Sequence, residues 1–175
     1  MIETKENKIL ELFFIDPLTK LHLREISRRA KISPSWTKKI LEKLEKQNLI
    51  LKEKTRLTTN FTANRENINF INLKKIFNLH KLYKSNLLNY LEEIYEYPNT
   101  ILLFGSYLRG EDIIKSDIDI LIVTDKNKKL NLEKYEKLLK RKINIHETDL
   151  KNSDKEFLNN IINGLVLYGK LRLFK

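Results

Sequence analysis

Cysteine is absent from the 175 residues, and the only histidines are His22, His80 and His146. Disulfides and thiolate metal sites are thereby excluded, and the three histidines are too scattered in sequence to form a ligand-spaced cluster. Glycine and proline are nearly as sparse, at four and three residues, so each marks a particular turn, cap or helix end. No apolar run approaches the ~18 residues of a membrane span. The first ten residues lack the apolar stretch of a signal peptide, and the expectation is a cytoplasmic protein with no membrane partner. Acidic charge is also short: 23 Asp and Glu against 34 Lys and Arg leave a net charge of +11, which favours anionic partners such as nucleic acid or nucleotide phosphates. A hydrophobic content of 41% over this length supports one large or two small cores, and the element pattern fits two small domains better.

What is present is organised around residues 100–123, TILLFGSYLRGEDIIKSDIDILIV. Residues 101–104 form a short apolar run that stops at Gly105-Ser106, with the length of a strand buried on both faces. Further on, Ile118, Ile120 and Ile122 alternate with Asp117, Asp119 and Leu121. At a strand's period of two the paired acids share one face and the isoleucines the other. Alternate strand residues lie about 6.6 Å apart, which lets two carboxylates converge on one or two Mg²⁺ ions bridging triphosphate oxygens. Gly105 supplies backbone free of a Cβ where a phosphate must approach, and Ser106 adds a hydroxyl donor.

Gly105-Ser106, a gap of ten residues and Asp117-x-Asp119 within an isoleucine-rich strand resemble the signature of the minimal nucleotidyltransferases of the DNA polymerase β superfamily. The resemblance implies a mixed β-sheet flanked by helices. It also implies that Gly105 and Ser106 hold the triphosphate of ATP or another nucleoside triphosphate, and that Asp117 and Asp119 hold the catalytic Mg²⁺. Arg109 and Lys115 lie in the same loop, and Arg109 is assigned to the nucleotide. Arg141, just before the next strand, is a further candidate for triphosphate charge. Gly110-Glu111-Asp112 reads as a turn whose acids border the pocket. The family expects a third carboxylate on a later neighbouring strand, where this chain has Asn144. Either Glu147 or Asp149 substitutes from a shifted position, or the metal-bound state is weaker, since an amide carries no charge.

The N-terminal part reads as three helices and a hairpin. Residues 2–14 are amphipathic and end before Pro17, residues 24–30 follow a short alternation at 21–23, and Ser33-Pro34 is a strong helix start for a third helix running to residue 47. On that third helix Trp36, Ile40 and Leu44 share a phase, which favours Trp36 as a core residue over a DNA-stacking one, with Ser35, Lys38 and Lys39 on the opposite face. Residues 49–51 and 57–61 read as strands around a basic segment that includes Lys54 and Arg56. This order resembles a winged helix-turn-helix domain over residues 1–66. Residues 20–66 carry 13 Lys or Arg against five Glu and no Asp, and the resemblance assigns DNA contacts to Ser35, Lys38, Lys39, Lys54 and Arg56.

Residues 67–98 read as a helical connector with one long apolar stripe, closed by Pro98, that packs on both domains or on a second copy of the chain. The fold class is therefore α+β in two domains: 1–66, the connector, and a nucleotidyltransferase domain over 99–175. Within the last, residues 130–140 read as a helix, 143–146 as a strand, and Ser153 with Glu156 as a capping box for a helix ending near Gly164. Residues 165–173 stay open between helix and strand. Minimal nucleotidyltransferases with this spacing resemble antitoxins that silence a HEPN-type toxin by attaching AMP to a tyrosine. That is the leading expectation for function. A nucleotide-sensing transcription regulator and a small-molecule nucleotidyltransferase are the alternatives.

Overall fold

The computed structural model describes residues 4–150 and 154–172. They form two compact units, residues 1–77 and 78–175.

The first unit begins with α1 (Lys5–Ile15), capped by the Thr4 hydroxyl, which accepts from Asn7 N at 3.1 Å. It continues through β1 (Leu21–His22), α2 (Leu23–Ala30) and α3 (Pro34–Lys46) to the hairpin β2 (Ile50–Lys54) and β3 (Thr59–Ala63). β3 pairs antiparallel with both neighbours, giving a sheet of order β1-β3-β2. The core gathers Ile9, Phe13 and Phe14 of α1, Ile26 of α2, Leu41 and Leu44 of α3, and Phe61 of β3. Phe14 packs against Phe70 and Phe77 at ring separations of 5.2 and 5.3 Å. Ser33 is the N-cap of α3 as expected, yet its hydroxyl lies 3.4 Å from the Ser35 hydroxyl and makes no capping bond.

Two expectations in this unit need correction. Trp36 is 51% exposed, because the buried stripe of α3 is Thr37, Ile40, Leu41 and Leu44. A fourfold spacing drifts about 40° per step on a helix of 3.6 residues per turn, so two steps before Leu44 the phase has left the core. The second hairpin strand starts at Thr59 rather than at residue 57. Thr55 and Thr58 close the turn through Thr55 N to Thr58 O at 2.8 Å and Thr58 N to Thr55 Oγ1 at 3.0 Å, leaving Leu57 94% exposed at the tip.

The residues expected to form a separate connector have no core of their own. α4 (Ile68–Lys84) starts at Asn67, whose side chain accepts from Asn69 N and Phe70 N at 2.8 and 3.2 Å. The division between units falls inside it, after Phe77. At Ser85 and Asn86 the helix breaks, with Asn86 at φ +60, and α5 (Leu87–Ile94) begins. Asparagine is among the few residues that adopt this left-handed conformation readily.

The second unit contains β4 (Thr100–Phe104), α6 (Gly105–Arg109), β5 (Ile118–Val123), α7 (Glu133–Leu139), β6 (Ile143–Thr148), α8 (Lys155–Ile162) and β7 (Leu165–Gly169). Its mixed sheet has the order β6-β5-β4-β7, with β5 parallel to β6 and antiparallel to β4, and β7 antiparallel to β4. β4 is buried along its whole length. Ile101 and Leu103 face Ile118, Ile120 and Ile122 together with Leu91 and Tyr95. Leu102, Phe104 and Leu121 form the opposite layer with Ile161 of α8. Each such side chain contributes about 1.5–3 kcal/mol by leaving water, so this central strand anchors the loop that follows it. The undecided residues after 164 begin as β7, an edge strand. The N-cap of α8 is Asp154, whose carboxylate accepts from Phe157 N at 2.7 Å; Ser153 of the expected capping box lies outside the described residues.

Candidate functional site

β4 ends where its apolar run ends, and Gly105 turns the chain at φ +78 into α6. A Cβ at Gly105 would collide with Asp119 Oδ2. Glycine is needed here for two reasons: the left-handed backbone, and the space taken by a carboxylate. Gly105→Ala is expected to destabilise the second unit by more than ~1 kcal/mol, measured as a lowered urea midpoint.

Asp119 lies opposite Phe104 on β4 and opposite Asn144 on β6. Asp117 stands one residue before β5, which is joined to β6 by Ile118 N donating to Lys142 O at 2.8 Å. Asp119, opposite Phe104, belongs to the layer that holds Leu121, and Asp117, just outside β5, lines a groove beside α7. Asn144 sits beside Asp119 with Nδ2 3.5 Å from Oδ1. Sequence reasoning passed over His146, whose Nε2 lies 3.7 Å from the same Oδ1. The signal was available in the alternation of Asn144 and His146, which shares the period that pairs Asp117 with Asp119. It carried no weight without the register between β5 and β6.

The proposed substitutes for a third carboxylate lie elsewhere. Glu147 is on the other face of β6, where it accepts from the Tyr95 hydroxyl and from Lys128 N at 3.0 Å. Burial and this carboxylate push the Tyr95 hydroxyl well above the ordinary tyrosine range. Asp149 follows the end of β6, five residues and about 16 Å along the chain from Asn144.

The loop between α6 and β5 is pinned from below. Asp112 is fully buried; its Oδ1 accepts from Asn78 Nδ2 at 2.8 Å and its Oδ2 pairs with Arg141 Nη2 at 3.0 Å. Asn78 Nδ2 also donates to Tyr107 O at 2.8 Å, and the Tyr107 hydroxyl donates to Asn78 O at 3.2 Å. Burial, with Asp112 close by, raises the Tyr107 hydroxyl far above its usual range. Arg141 and Asp112 were expected to border a nucleotide pocket. Asp112 is instead interior, with its side chain 0% exposed, whereas Arg141, 3% exposed, still lines the groove beside Asp117; a carboxylate and a guanidinium can be buried together only as a pair.

Arg109 is exposed at the end of α6 and pairs with Glu111 at 2.8 Å. Ser106 follows Gly105 in the first turn of α6, and its carbonyl accepts from Glu111 N at 3.0 Å. Lys115 and Asp117 line an open groove of about 460 Å³ with Lys140, Lys142, Glu133 and Glu136, a volume within the ~300–1,000 Å³ of ligand sites. Glu136 accepts from Ile143 N at 3.1 Å, and this bond, aided by Lys142, holds its carboxyl below the ordinary range.

Among the described residues no three acidic or histidine side chains are already gathered into a metal centre. The donors fit a cation shared with substrate instead. Mg²⁺ binds through one or two carboxylates plus phosphate oxygens and keeps several waters, and Gly105 leaves the Asp119 carboxylate uncovered by any Cβ.

In the first unit, Ser35, Lys38 and Lys39 are exposed on α3, and Lys54 and Arg56 are exposed at the hairpin end. Trp36 joins that surface, with Lys5 Nζ 4.5 Å and Lys39 Nζ 5.4 Å from its ring. No helix among the described residues is long and apolar enough to cross a membrane.

The family described as Polymerase beta, Nucleotidyltransferase matches residues 85–172, half of the chain. The match spans β4, α6, β5 and β6, and with them every residue of the site around Asp119. No curated protein and no solved structure matches the chain.

Proposed function

Because the chain belongs to the polymerase β nucleotidyltransferase family, we propose that it transfers a nucleotidyl group from ATP or another nucleoside triphosphate to a hydroxyl acceptor. Asp117 and Asp119 hold Mg²⁺, and Gly105, Ser106 and Arg109 receive the triphosphate. The observation that carries this reading is the fit of Gly105 against the Asp119 carboxylate. When bound, the metal neutralises triphosphate charge and favours attack at the α-phosphorus. The acceptor oxygen bonds to that phosphorus, pyrophosphate leaves, and the acceptor proton passes to solvent. The groove beside Asp117 is the approach for the acceptor. By resemblance to minimal nucleotidyltransferase antitoxins, the acceptor is a tyrosine of a HEPN-type toxin and the group attached is AMP. Incubation with labelled nucleoside triphosphates, Mg²⁺ and the protein encoded beside this chain, followed by mass analysis, tests it. An adduct on the partner supports the reading, and no adduct with any nucleotide rejects it.

Asn144 beside Asp119 favours a second reading, a nucleotide sensor with weak catalysis. The two readings diverge on Asn144→Asp, which adds the missing charge next to Asp119. The expected outcome for an enzyme is faster transfer in Mg²⁺, by about tenfold for each ~1.4 kcal/mol gained. An unchanged rate in initial-velocity assays would mean that two carboxylates suffice.

The element order and charge of the first unit support a winged helix-turn-helix that binds operator DNA. The N-terminal part of α3 meets base edges and the hairpin meets phosphate. Alanine at both Lys54 and Arg56 is expected to weaken binding to every duplex alike and to flatten the dependence of log K on log salt by about two units. Alanine at Ser35 or Lys39 is expected to change which sequence is preferred, by about 1–3 kcal/mol of discrimination. Anisotropy titrations at two salt concentrations, using DNA upstream of the protein's own gene, separate these effects. Equal affinity for that DNA and a scrambled duplex would reject the operator.

A further inference from the structure

We propose that His146 is a direct ligand of the divalent cation, supplying a nitrogen donor beside the position where Asn144 stands in place of a carboxylate. The inference rests on the nucleotidyl-transfer reading and adds a residue and a metal preference to it. Two side chains converge on one oxygen of Asp119: His146 Nε2 and Asn144 Nδ2 lie 3.7 and 3.5 Å from Oδ1. At 3.7 Å the imidazole and carboxylate are too far apart for a hydrogen bond. They are close enough for a shared ion, since two donors each ~2.1 Å from a cation can stand up to ~4.2 Å apart.

The ring is held for this use. Phe104 packs against it at 5.2 Å and Phe157 at 5.9 Å, so little rotamer freedom is lost when a metal binds. Phe104 is also the β4 partner of Asp119, so one strand pair positions both donors. The amide of Asn144 presents its oxygen to the same point after a flip of its two nearly indistinguishable ends. The resulting set is the Asp119 carboxylate, one amide oxygen and one imidazole, to which the proposed site adds the Asp117 carboxylate. It carries one negative charge fewer than three carboxylates and includes a softer donor. Mg²⁺ prefers oxygen alone, imidazole suits Fe²⁺, Ni²⁺ and Zn²⁺, and Mn²⁺ stands between, an oxygen binder at the start of the transition-metal series that accepts a nitrogen donor more readily than Mg²⁺ does. The site should therefore hold Mn²⁺ well above its affinity for Mg²⁺, with His146 responsible for much of the difference.

The test uses the full chain and Mn²⁺ alone, without nucleotide. Calorimetric titration gives the affinity, and pulsed EPR of the bound ion reads ¹⁴N modulation from a coordinated imidazole. The expected result is clear ¹⁴N modulation in the wild type, lost in His146→Gln. That variant should bind Mn²⁺ at least ~10-fold more weakly, with a smaller change for Mg²⁺. Asn144→Asp, at an exposed position, should raise Mg²⁺ affinity and narrow the Mn²⁺ preference. Mn²⁺ that binds in an Asp119-dependent way without ¹⁴N modulation, or with modulation that persists in His146→Gln, overturns the role of His146 and leaves the nucleotidyl-transfer reading intact. If neither Mn²⁺ nor Mg²⁺ binds in an Asp119-dependent way, the metal site itself fails and this inference with it.

Discussion

Asp119→Asn is expected to lower nucleotidyl transfer by at least ~100-fold, because it removes the charge through which the proposed site would hold its cation, a contribution worth several kcal/mol to a phosphoryl transition state. The fold should persist. Asp119 pairs with its neighbours through backbone, opposite Phe104 and Asn144, and asparagine keeps its volume. Asp117→Asn should act in the same direction, since the proposed site takes its second carboxylate from Asp117. Asp149→Asn, beyond the far end of β6, serves as the control and should leave the rate within about twofold. Full activity in the Asp117→Asn, Asp119→Asn double variant, measured as pyrophosphate release, would remove the enzymatic reading altogether.

The second large effect is on stability. Asp112→Asn should destabilise the second unit by about 3–5 kcal/mol, the range for breaking a buried ion pair from one side. The substitution keeps the shape, so no cavity confounds it. It strips the charge facing Arg141 Nη2 at 3.0 Å, in a place where the guanidinium is almost wholly out of water. The loss should appear in urea denaturation as a lower midpoint for this unit. Transfer should also fall near the midpoint temperature, because Asp112 anchors the loop that delivers Asp117. A change below about 1 kcal/mol would mean that the pair is solvated in the native state, as exposed ion pairs of that worth are.

Residues 100–123 were legible because their signals are local. An apolar run buried on both faces, a glycine at its end and a period of two in the next strand are each properties of neighbouring residues. β4, β5 and the turn at Gly105 follow from them. Ser33-Pro34 marked the start of α3 for the same reason, since a cap and a first-turn proline act within one turn. Helix phase was less secure. Trp36 keeps the fourfold spacing of Ile40 and Leu44 yet lies outside the buried stripe, and only the packing of α1 and α2 on α3 decides where that stripe ends.

The sequence by itself determined the turn at Gly105-Ser106, the strand that carries Asp119, the basic character of the N-terminal part, and the family to which residues 85–172 belong. It could not decide what stands beside those residues, because the partners are brought together by sheet register and burial. The parallel register of β5 with β6 puts Asn144 and His146 at Asp119 and turns Glu147 to the other face. Burial makes Asp112 and Arg141 a structural ion pair, with Arg141 on the wall of the groove beside Asp117. Both outcomes depend on residues 25 or more positions apart, and no local preference of the chain encodes contacts at that distance.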